Sequence, residues 1–179
     1  MSRLKVLAVV LLFFPLVACV STSPGIYKNI NVSRQGPGAD ATWELDKLRS
    51  SGTLKLTGIH VDRHSNPGST NAVIQLFASG HHYSPLLNLY LSDKGCTGRY
   101  AIQMDYRVNK VDYYSHYFTS YLNWGDSLDI TIHWSGKEVA VAVGNELPFK
   151  MAVDREVSAL EAGVRSGDIQ IDSVDYEVD

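Results

Sequence analysis

The side chains best suited to hold a ligand occur close together in the middle of the chain. They combine planar hydrogen-bonding groups with aromatic rings, and they are Gln103, Asp105, Arg107, Tyr114, His116 and Trp124. Sugars present C–H faces that stack on aromatic rings and hydroxyls that pair with amides, carboxylates and guanidinium groups. This mixture favours a carbohydrate site if the fold brings the set to one face. The alternative is an Arg107–Asp112 surface ion pair of little energetic weight, beside tyrosines that complete a core.

A second group has the composition of a metal site. In His60-Val-Asp62-Arg-His64, alternate residues of an extended strand would point His60, Asp62 and His64 to one side, and imidazole with carboxylate suits zinc. A bulge at Gly58 is needed to keep the neighbouring apolar residues inward. Since a polar outer face is the default for any strand, no metal and no cofactor are expected, and these three residues remain weak candidates.

The beginning of the chain has the order of a secretory signal. A short basic start precedes an apolar run, Leu7–Val17, that is too short for a permanent membrane span. The next residues, Leu16-Val17-Ala18-Cys19, resemble the bacterial lipobox, whose cysteine is diacylated and becomes the mature N-terminus. The resemblance implies a signal peptide over residues 1–18 and a lipid anchor on Cys19. Since Val20 is not the aspartate that retains lipoproteins in the inner membrane, it further implies the outer membrane of a Gram-negative bacterium.

Export changes the charge and the cysteine count. Loss of residues 1–18 removes two of the 16 basic residues and none of the 19 acids, so the formal charge moves from −3 to −5. An acidic chain disfavours nucleic acid and anionic lipid as partners. A lipidated Cys19 leaves Cys96 as the only thiol, which excludes an intramolecular disulfide.

The remaining chain divides into a tether and one domain. Residues 19–42 are rich in Ser, Thr, Pro, Gly and Asn, which predicts a flexible tether, with Ile26–Val32 as a candidate first strand. Ala41–Ser50 has the spacing of a short helix. Residues 43–179 alternate apolar and polar types, which predicts a β domain.

The sequence predicts which residues face each other across two β-hairpins. A two-residue turn at Asn109-Lys110 opposes Val108 to Val111 and Tyr106 to Tyr113, and it places Asp105 beside Tyr114 on the other face. A type II′ turn at Gly136-Lys137 pairs Trp134 with Val139 and Ile130 with Val143.

Further strands are indicated by alternation between turn signals: Thr53–His60, Ala72–Ser79, Leu86–Ser92, Ala159–Arg165 and Ile169–Val178. So many short strands predict an all-β, antiparallel two-sheet sandwich or jelly roll.

Two segments carry a resemblance. Asp129–Glu146, with its Trp, tight turn and Val-x-Val-x-Val run, and Leu160–Val178 resemble the hairpin and closing strands of concanavalin A-like lectin/glucanase sandwiches, including laminin-G-like modules. Hydrolases of that family display Glu-x-Asp-x-Glu on one strand, which this chain lacks. The segment most similar to that motif is Asp175-Tyr-Glu177-Val-Asp179, at the end of the chain. Acids in such a position are ordinarily explained as a solvent-exposed strand face.

The expected function is therefore that of an exported, lipid-anchored sandwich that binds a carbohydrate or another component of the cell envelope without catalysis. Two alternatives stay open. One is a glycan-degrading hydrolase or lyase of the same fold. The other is a protein-binding subunit of an envelope complex. An exposed apolar face at Thr131, Ala140 and Ala142 would favour this alternative.

Overall fold

The molecule is built from two antiparallel β-sheets. The computed structural model describes residues 23–33, 41–62, 71–78, 84–93, 99–109, 111–123, 125–166 and 168–179. Sheet A has the strand order β1-β12-β3-β8-β9-β10, and sheet B has the order β2-β11-β4-β5-β6-β7. The predicted all-β, antiparallel two-sheet sandwich is thus confirmed.

The strands of sheet A are β1 (Gly25–Ser33), β3 (Ser51–Asp62), β8 (Leu128–Ser135), β9 (Glu138–Val143), β10 (Phe149–Ala152) and β12 (Asp168–Glu177). Those of sheet B are β2 (Ala41–Leu45), β4 (Asn71–Phe77), β5 (Leu87–Asp93), β6 (Arg99–Arg107), β7 (Tyr113–Asn123) and β11 (Ala159–Ser166). Within the described ranges, no helix is long and apolar enough to cross a lipid bilayer.

The core lies between the inner faces of the two sheets. Leu54 and Leu56 of β3 and Leu89 and Leu91 of β5 alternate with outward polar residues and are fully buried. The largest buried side chain, Trp134, stacks on Tyr176 and donates its Nε1–H to the Arg49 carbonyl at 2.8 Å. Each strand therefore has one face in the core and one face available for other contacts.

The hairpin of β8 and β9 has the predicted register. Trp134 lies opposite Val139 and Ile130 opposite Val143, and Gly136 has a φ of 59°. A positive φ at the first central residue is what a type II′ turn requires.

The predicted register of β6 and β7 is wrong by one residue. Arg107 lies opposite Tyr113 and Tyr106 opposite Tyr114, because β6 ends at Arg107 and β7 begins at Tyr113, farther apart than a two-residue turn allows. The Asn109 Oδ1 atom accepts the backbone N–H groups of Val111 and Asp112, each at 2.9 Å. This side-chain cap replaces the ladder pair that the predicted turn would have formed.

The sandwich begins earlier in the chain than the composition predicted. β1 pairs with β12 from Gly25 to Ser33, so this part of the segment predicted as a tether is a sheet strand, as the candidate strand Ile26–Val32 anticipated. Ala41–Leu45 forms β2 beside β11 and is not the start of a helix. Extended pairing with β11 outweighs the helical spacing of this segment.

The irregularity expected in β3 is present. The pairing of β3 with β8 shifts register between Leu56 and Ile59, and Gly58 has a φ of 64°. The Gly58 N–H donates to Asp129 Oδ1 at 2.9 Å, while a Cβ at this position would overlap the Asp172 side chain. Gly136 has a similar φ of 59°, but a Cβ atom added to Gly136 would lie in open space.

This contrast predicts unequal effects of two alanine substitutions. Gly136→Ala introduces backbone strain alone and should lower the free energy of unfolding by about 1 kcal/mol. Gly58→Ala adds overlap with Asp172 and should lower it by about 3 kcal/mol. Denaturant unfolding of both variants checks this, and equal losses would contradict the bulge geometry.

Candidate functional site

The outer face of sheet B carries a continuous line of polar side chains. Directly opposed residues of neighbouring strands share a face, and the registers of sheet B connect one outward residue from each of its six strands. We call these residues the polar row: Glu44, Glu161, Gln75, Asn88, Asp105 and Ser115. Six strands spaced about 4.8 Å apart give the row a length of about 24 Å.

Several outward side chains in the middle of this face are buried. Val73, Phe77, Asn88 and Ala101 point away from the core, yet each is at most 8% exposed. On the outer face of sheet A, by contrast, central side chains such as Lys55 are exposed. Small-molecule and glycan sites likewise place a few polar groups among buried apolar ones.

Hydrogen bonds orient part of the polar row. Gln75 Nε2 donates to Asn88 Oδ1, and Asp105 Oδ1 accepts from Gln103 Nε2 at 2.9 Å and from Ser115 Oγ at 2.7 Å. Each bond fixes the orientation of a planar group without using all of its hydrogen-bonding capacity. The row thus presents oriented amide and carboxylate groups.

Tyrosines flank the row on the same face. Gln103 lies opposite Tyr90 of β5 and opposite Tyr117 of β7, and Tyr117 is 57% exposed. Because β7 is the edge strand, the Tyr117 ring is accessible beside the amide of Gln103. An exposed ring next to a planar polar group is suited to stacking on a sugar.

Arg107 closes one end of this face. Its guanidinium donates to Tyr113 Oη from Nε at 3.1 Å and from Nη2 at 2.8 Å, and it also donates to Ser84 Oγ. Asp154 Oδ2 lies 3.8 Å from Arg107 Nη1, and both side chains are buried to about nine-tenths, with exposed fractions of 11% and 8%. The guanidinium is therefore committed to contacts within the protein.

Two carboxylates meet at the opposite end. Glu44 of β2 and Glu161 of β11 form a directly opposed pair on the outer face. Opposed residues place their Cβ atoms about 5 Å apart, and like charges at that separation destabilise a sheet. The two carboxylates are therefore close neighbours at this end of the polar row.

The structure divides the predicted ligand-binding set between two faces. Gln103, Asp105 and Arg107 lie together on the outer face of sheet B, where the alternation of β6 placed them. The one-residue register difference puts Tyr114 and His116 on the opposite face of β7. Trp124 lies outside the described residues.

Tyr114 and His116 instead help to close the open edge between the sheets. His116 stacks on Phe149 of β10, with ring centroids 4.0 Å apart, and lies edge-on to Phe118 at 4.8 Å. Tyr114 stacks on Tyr106 at 5.9 Å. These rings connect β7 of sheet B to β10 of sheet A.

Sequence reasoning missed five members of the polar row. One is Ser115, which the one-residue register difference brings to this face, and the others are the four residues Glu44, Gln75, Asn88 and Glu161. A signal was present for Asn88, which interrupts the apolar run from Leu86 to Leu91 and is only 7% exposed. The order β2-β11-β4-β5 that aligns the four residues depends on long-range pairing, which local alternation does not encode.

The weak metal candidates are not assembled by the described residues. The His60 ring points outward, 3.8 Å from Asp172. Of Asp62 only the backbone is described, and His64 lies outside the described ranges, as do Cys19 and Cys96. The described part of the chain holds no group of three or more His, Cys, Asp or Glu side chains placed to bind a metal ion.

The acids at the end of the chain belong to the outer face of sheet A. Glu177 accepts a hydrogen bond from Lys55 Nζ at 3.0 Å, which raises the pKa of the Lys55 ammonium. Asp179 lies 3.7 Å from the His133 ring. This cross-strand pairing of acids with bases is the solvated face expected for these residues.

A second depression lies on the outer face of sheet A. Its volume is about 410 Å³, and its outward-facing lining is His133, Ser135, Glu138, Ala140, Lys150 and Ala152. Thr131, Ala140 and Ala142 are half-buried on this face, where Thr131 lies opposite Lys55 and Ala140 lies opposite Lys150. The described part of this surface mixes charged, polar and small apolar side chains and does not form a continuous apolar patch.

No protein-family model and no characterised protein matches the sequence, but solved structures match the fold. An alginate lyase from Pseudomonas aeruginosa has a TM-score of 0.64 at 13% identity, covering 84% of this chain and 81% of that one. An alginate lyase from Klebsiella pneumoniae has a TM-score of 0.60 at 10% identity, covering 86% of each chain.

A galectin from Caenorhabditis elegans has a TM-score of 0.53 at 10% identity, covering 85% of this chain and 95% of the galectin. At such low identity these likenesses concern the fold alone. The chain has the concanavalin A-like jelly-roll sandwich fold that its hairpin segments predicted.

Proposed function

We propose that this protein binds a carbohydrate of the cell envelope on the outer face of sheet B and that it is held at a membrane by a lipid on Cys19. The observation that carries the proposal is the polar row, a line of amide, hydroxyl and carboxylate groups, partly oriented by hydrogen bonds and flanked by exposed tyrosines. The likeness of the fold to alginate lyases and a galectin adds support.

The energetics of sugar binding suit this arrangement. A sugar hydroxyl must give up water, so its partners need to be oriented before it arrives. Hydrogen bonds already orient Asn88 and Asp105, and the burial of Asn88 limits competition from solvent there. Tyr117 supplies apolar area for the sugar face at little entropic cost, because a tyrosine has few rotatable bonds.

Two tyrosines of β7 provide a matched test. Tyr117 and Tyr114 are 57% and 51% exposed but point to opposite faces of the strand. Tyr117→Ala should weaken binding of the strongest oligosaccharide from a glycan array about tenfold, or by about 1.4 kcal/mol, whereas Tyr114→Ala should leave it unchanged. Isothermal titration calorimetry measures both, and an equal effect of the two substitutions would argue against the face assigned here.

A second candidate function is glycoside hydrolysis, which the Glu44–Glu161 pair favours. Retaining glycosidases need two carboxyl groups about 5 Å apart, one to attack the anomeric carbon and one to protonate the departing oxygen. In an opposed pair on neighbouring strands the Cβ atoms lie about 5 Å apart, which brings the two carboxyl groups within reach of such a separation. Water would then release the bound sugar and restore both carboxyl groups.

Reducing-end release from the bound oligosaccharide distinguishes hydrolysis from binding. If Glu44 and Glu161 catalyse cleavage, Glu44→Gln and Glu161→Gln should each lower the rate at least about 100-fold while the protein still binds. A wild-type protein that binds its oligosaccharide and releases no reducing ends leaves binding alone as the function.

The lipid anchor rests on Leu16-Val17-Ala18-Cys19 and has its own test. Cys19→Ser should abolish incorporation of labelled palmitate and release the protein from the membrane fraction, because one thioether-linked diacylglycerol supplies the anchoring area. Cys96→Ser is the matched control and should retain both label and membrane association. Membrane-bound, labelled Cys19→Ser protein would contradict the anchor.

A further inference from the structure

We propose that the end of the sandwich at which β6 connects to β7 rests on the surface of a lipid bilayer, with the side chains of Val108, Val111 and Tyr113 inserted among the lipids. This inference rests on the lipid anchor proposed at Cys19 and specifies how the domain stands on the membrane. We call this end the anchor end. It comprises the start of β1, the β8–β9 turn and the connection between β6 and β7.

The start of β1 lies at the same end of sheet A as the β8–β9 turn. Gly25 lies opposite Tyr176 of β12, which lies opposite Leu54 of β3. Three residues earlier in β3, Ser51 lies opposite Ser135, the last residue of β8 before the turn. The chain that precedes β1 therefore leaves the sandwich at the anchor end.

Backbone hydrogen bonds bring the end of β6 to the same place. The Val153 N–H donates to the carbonyl of Lys137 in the β8–β9 turn at 2.8 Å. The next residue, Asp154, donates its N–H to the carbonyl of Arg107 at 3.2 Å. Since Arg107 is the last residue of β6, the β6–β7 connection belongs to the anchor end.

Little chain separates the anchor end from the proposed lipid. Ser23, the first described residue, comes four residues after Cys19, and a chain of that length spans at most about 14 Å. β1 begins two residues later, at Gly25. A lipid on Cys19 therefore holds the start of the sandwich within reach of the bilayer surface.

The β6–β7 connection presents apolar side chains to solvent. Val111 is 80% exposed, Tyr113 is 54% exposed and Val108 is 40% exposed. Single exposed apolar residues are ordinary, whereas three within six residues of one connection form a cluster. Tyrosine is also enriched where a membrane meets water. We call these three residues the apolar cluster.

The backbone around the apolar cluster already has hydrogen-bond partners. Asn109 Oδ1 accepts the N–H groups of Val111 and Asp112, and the Val108 N–H donates to the Asp112 carbonyl at 3.3 Å. Peptide groups that enter lipid without a partner are costly. These three N–H groups need no water, so the valines can enter the interface at little polar cost. The Asp112 carboxylate, which accepts from Asn109 Nδ2, limits the insertion to head-group depth.

The lipid and the apolar cluster attach opposite edges of the sandwich. β1 is an edge strand of sheet A and lies beside β2, with the rings of Tyr27 and Trp43 6.0 Å apart. β7 is the far edge of sheet B, six strands from β2, so the two attachment points are about 20 Å apart. The anchor makes insertion of the cluster an intramolecular step, which favours a contact too weak to form alone.

This placement orients the proposed glycan site. The strands stand along the membrane normal, so the polar row, which crosses the strands of sheet B, runs parallel to the bilayer. Asp105 of the row is two residues from the end of β6, or about 7 Å. A polymer bound along the row therefore lies beside the membrane surface.

The test places one fluorophore at either end of the full-length lipidated protein. Val111→Cys and Leu147→Cys, each combined with Cys96→Ser, offer a single thiol to an environment-sensitive dye, because the lipid occupies the Cys19 sulfur. Leu147 is the matched control, since it is 90% exposed and follows β9 at the opposite end of the sandwich.

Exposed charges at the anchor end have both signs, such as Lys137 and Asp112, so vesicles of zwitterionic phosphatidylcholine are the probe. The emission of the dye at position 111 should shift to the blue and be quenched by nitroxide-bearing lipid. The dye at position 147 should show neither effect.

Palmitate incorporation, measured on the same proteins, separates this inference from the anchor. If the protein carries palmitate and binds the vesicles while the dye at position 111 stays in water, the inference is overturned and the anchor stands. A blue shift without quenching by lipid means that a protein surface covers the cluster, which also overturns the inference. Absence of palmitate overturns the proposed anchor and the inference with it.

Discussion

The side chain of Asn109 determines which residues of β6 and β7 share a face, and the candidate site depends on that choice. Its Oδ1 atom caps the backbone N–H groups of Val111 and Asp112 and so lengthens the connecting loop. A strand shifted by one residue exchanges its two faces. With the observed loop, Ser115 and Tyr117 join Asp105 and Gln103 on the outer face, while Tyr114 and His116 turn toward Phe149.

Local patterns predicted the parts of the fold whose geometry is itself local. The Gly136-Lys137 turn fixed the register of β8 and β9, since a positive φ at the first central position leaves glycine as the natural choice. The bulge at Gly58 followed from the need to keep Leu56 and Ile59 both inward. In each case one residue type and one alternation pattern were compatible with a single local geometry.

In the β6–β7 hairpin, the local pattern predicted the wrong register. The pairing of Val108 with Val111 gave an apolar match at the turn, yet Val111 is 80% exposed and Val108 is 40% exposed. Three hydrogen bonds involving the Asn109 side chain outweigh the small apolar contact that two exposed valines could make. The polar row could not be predicted from local patterns for a different reason. Its strands β2, β11 and β4 are neighbours only through crossover connections.

Charge is arranged unevenly across the molecule. On the outer face of sheet A, acids meet bases, as Glu177 meets Lys55 and Asp179 meets His133. On the outer face of sheet B, the buried base is neutralised by Asp154, while the acids of the polar row stand beside amides and tyrosines. The first pattern is that of a solvated surface, and the second is the one on which the proposed ligand site rests.

The central claim, that a glycan lies on the outer face of sheet B, is tested most directly by the side-chain amide resonances of the protein. We expect titration with a bound oligosaccharide to shift the NH₂ signals of Gln75, Asn88 and Gln103 together in a heteronuclear spectrum. Backbone signals of His133, Ala140 and Lys150, which line the depression on sheet A, should remain in place. Shifts confined to the sheet A depression, with the three amides unchanged, would contradict the account.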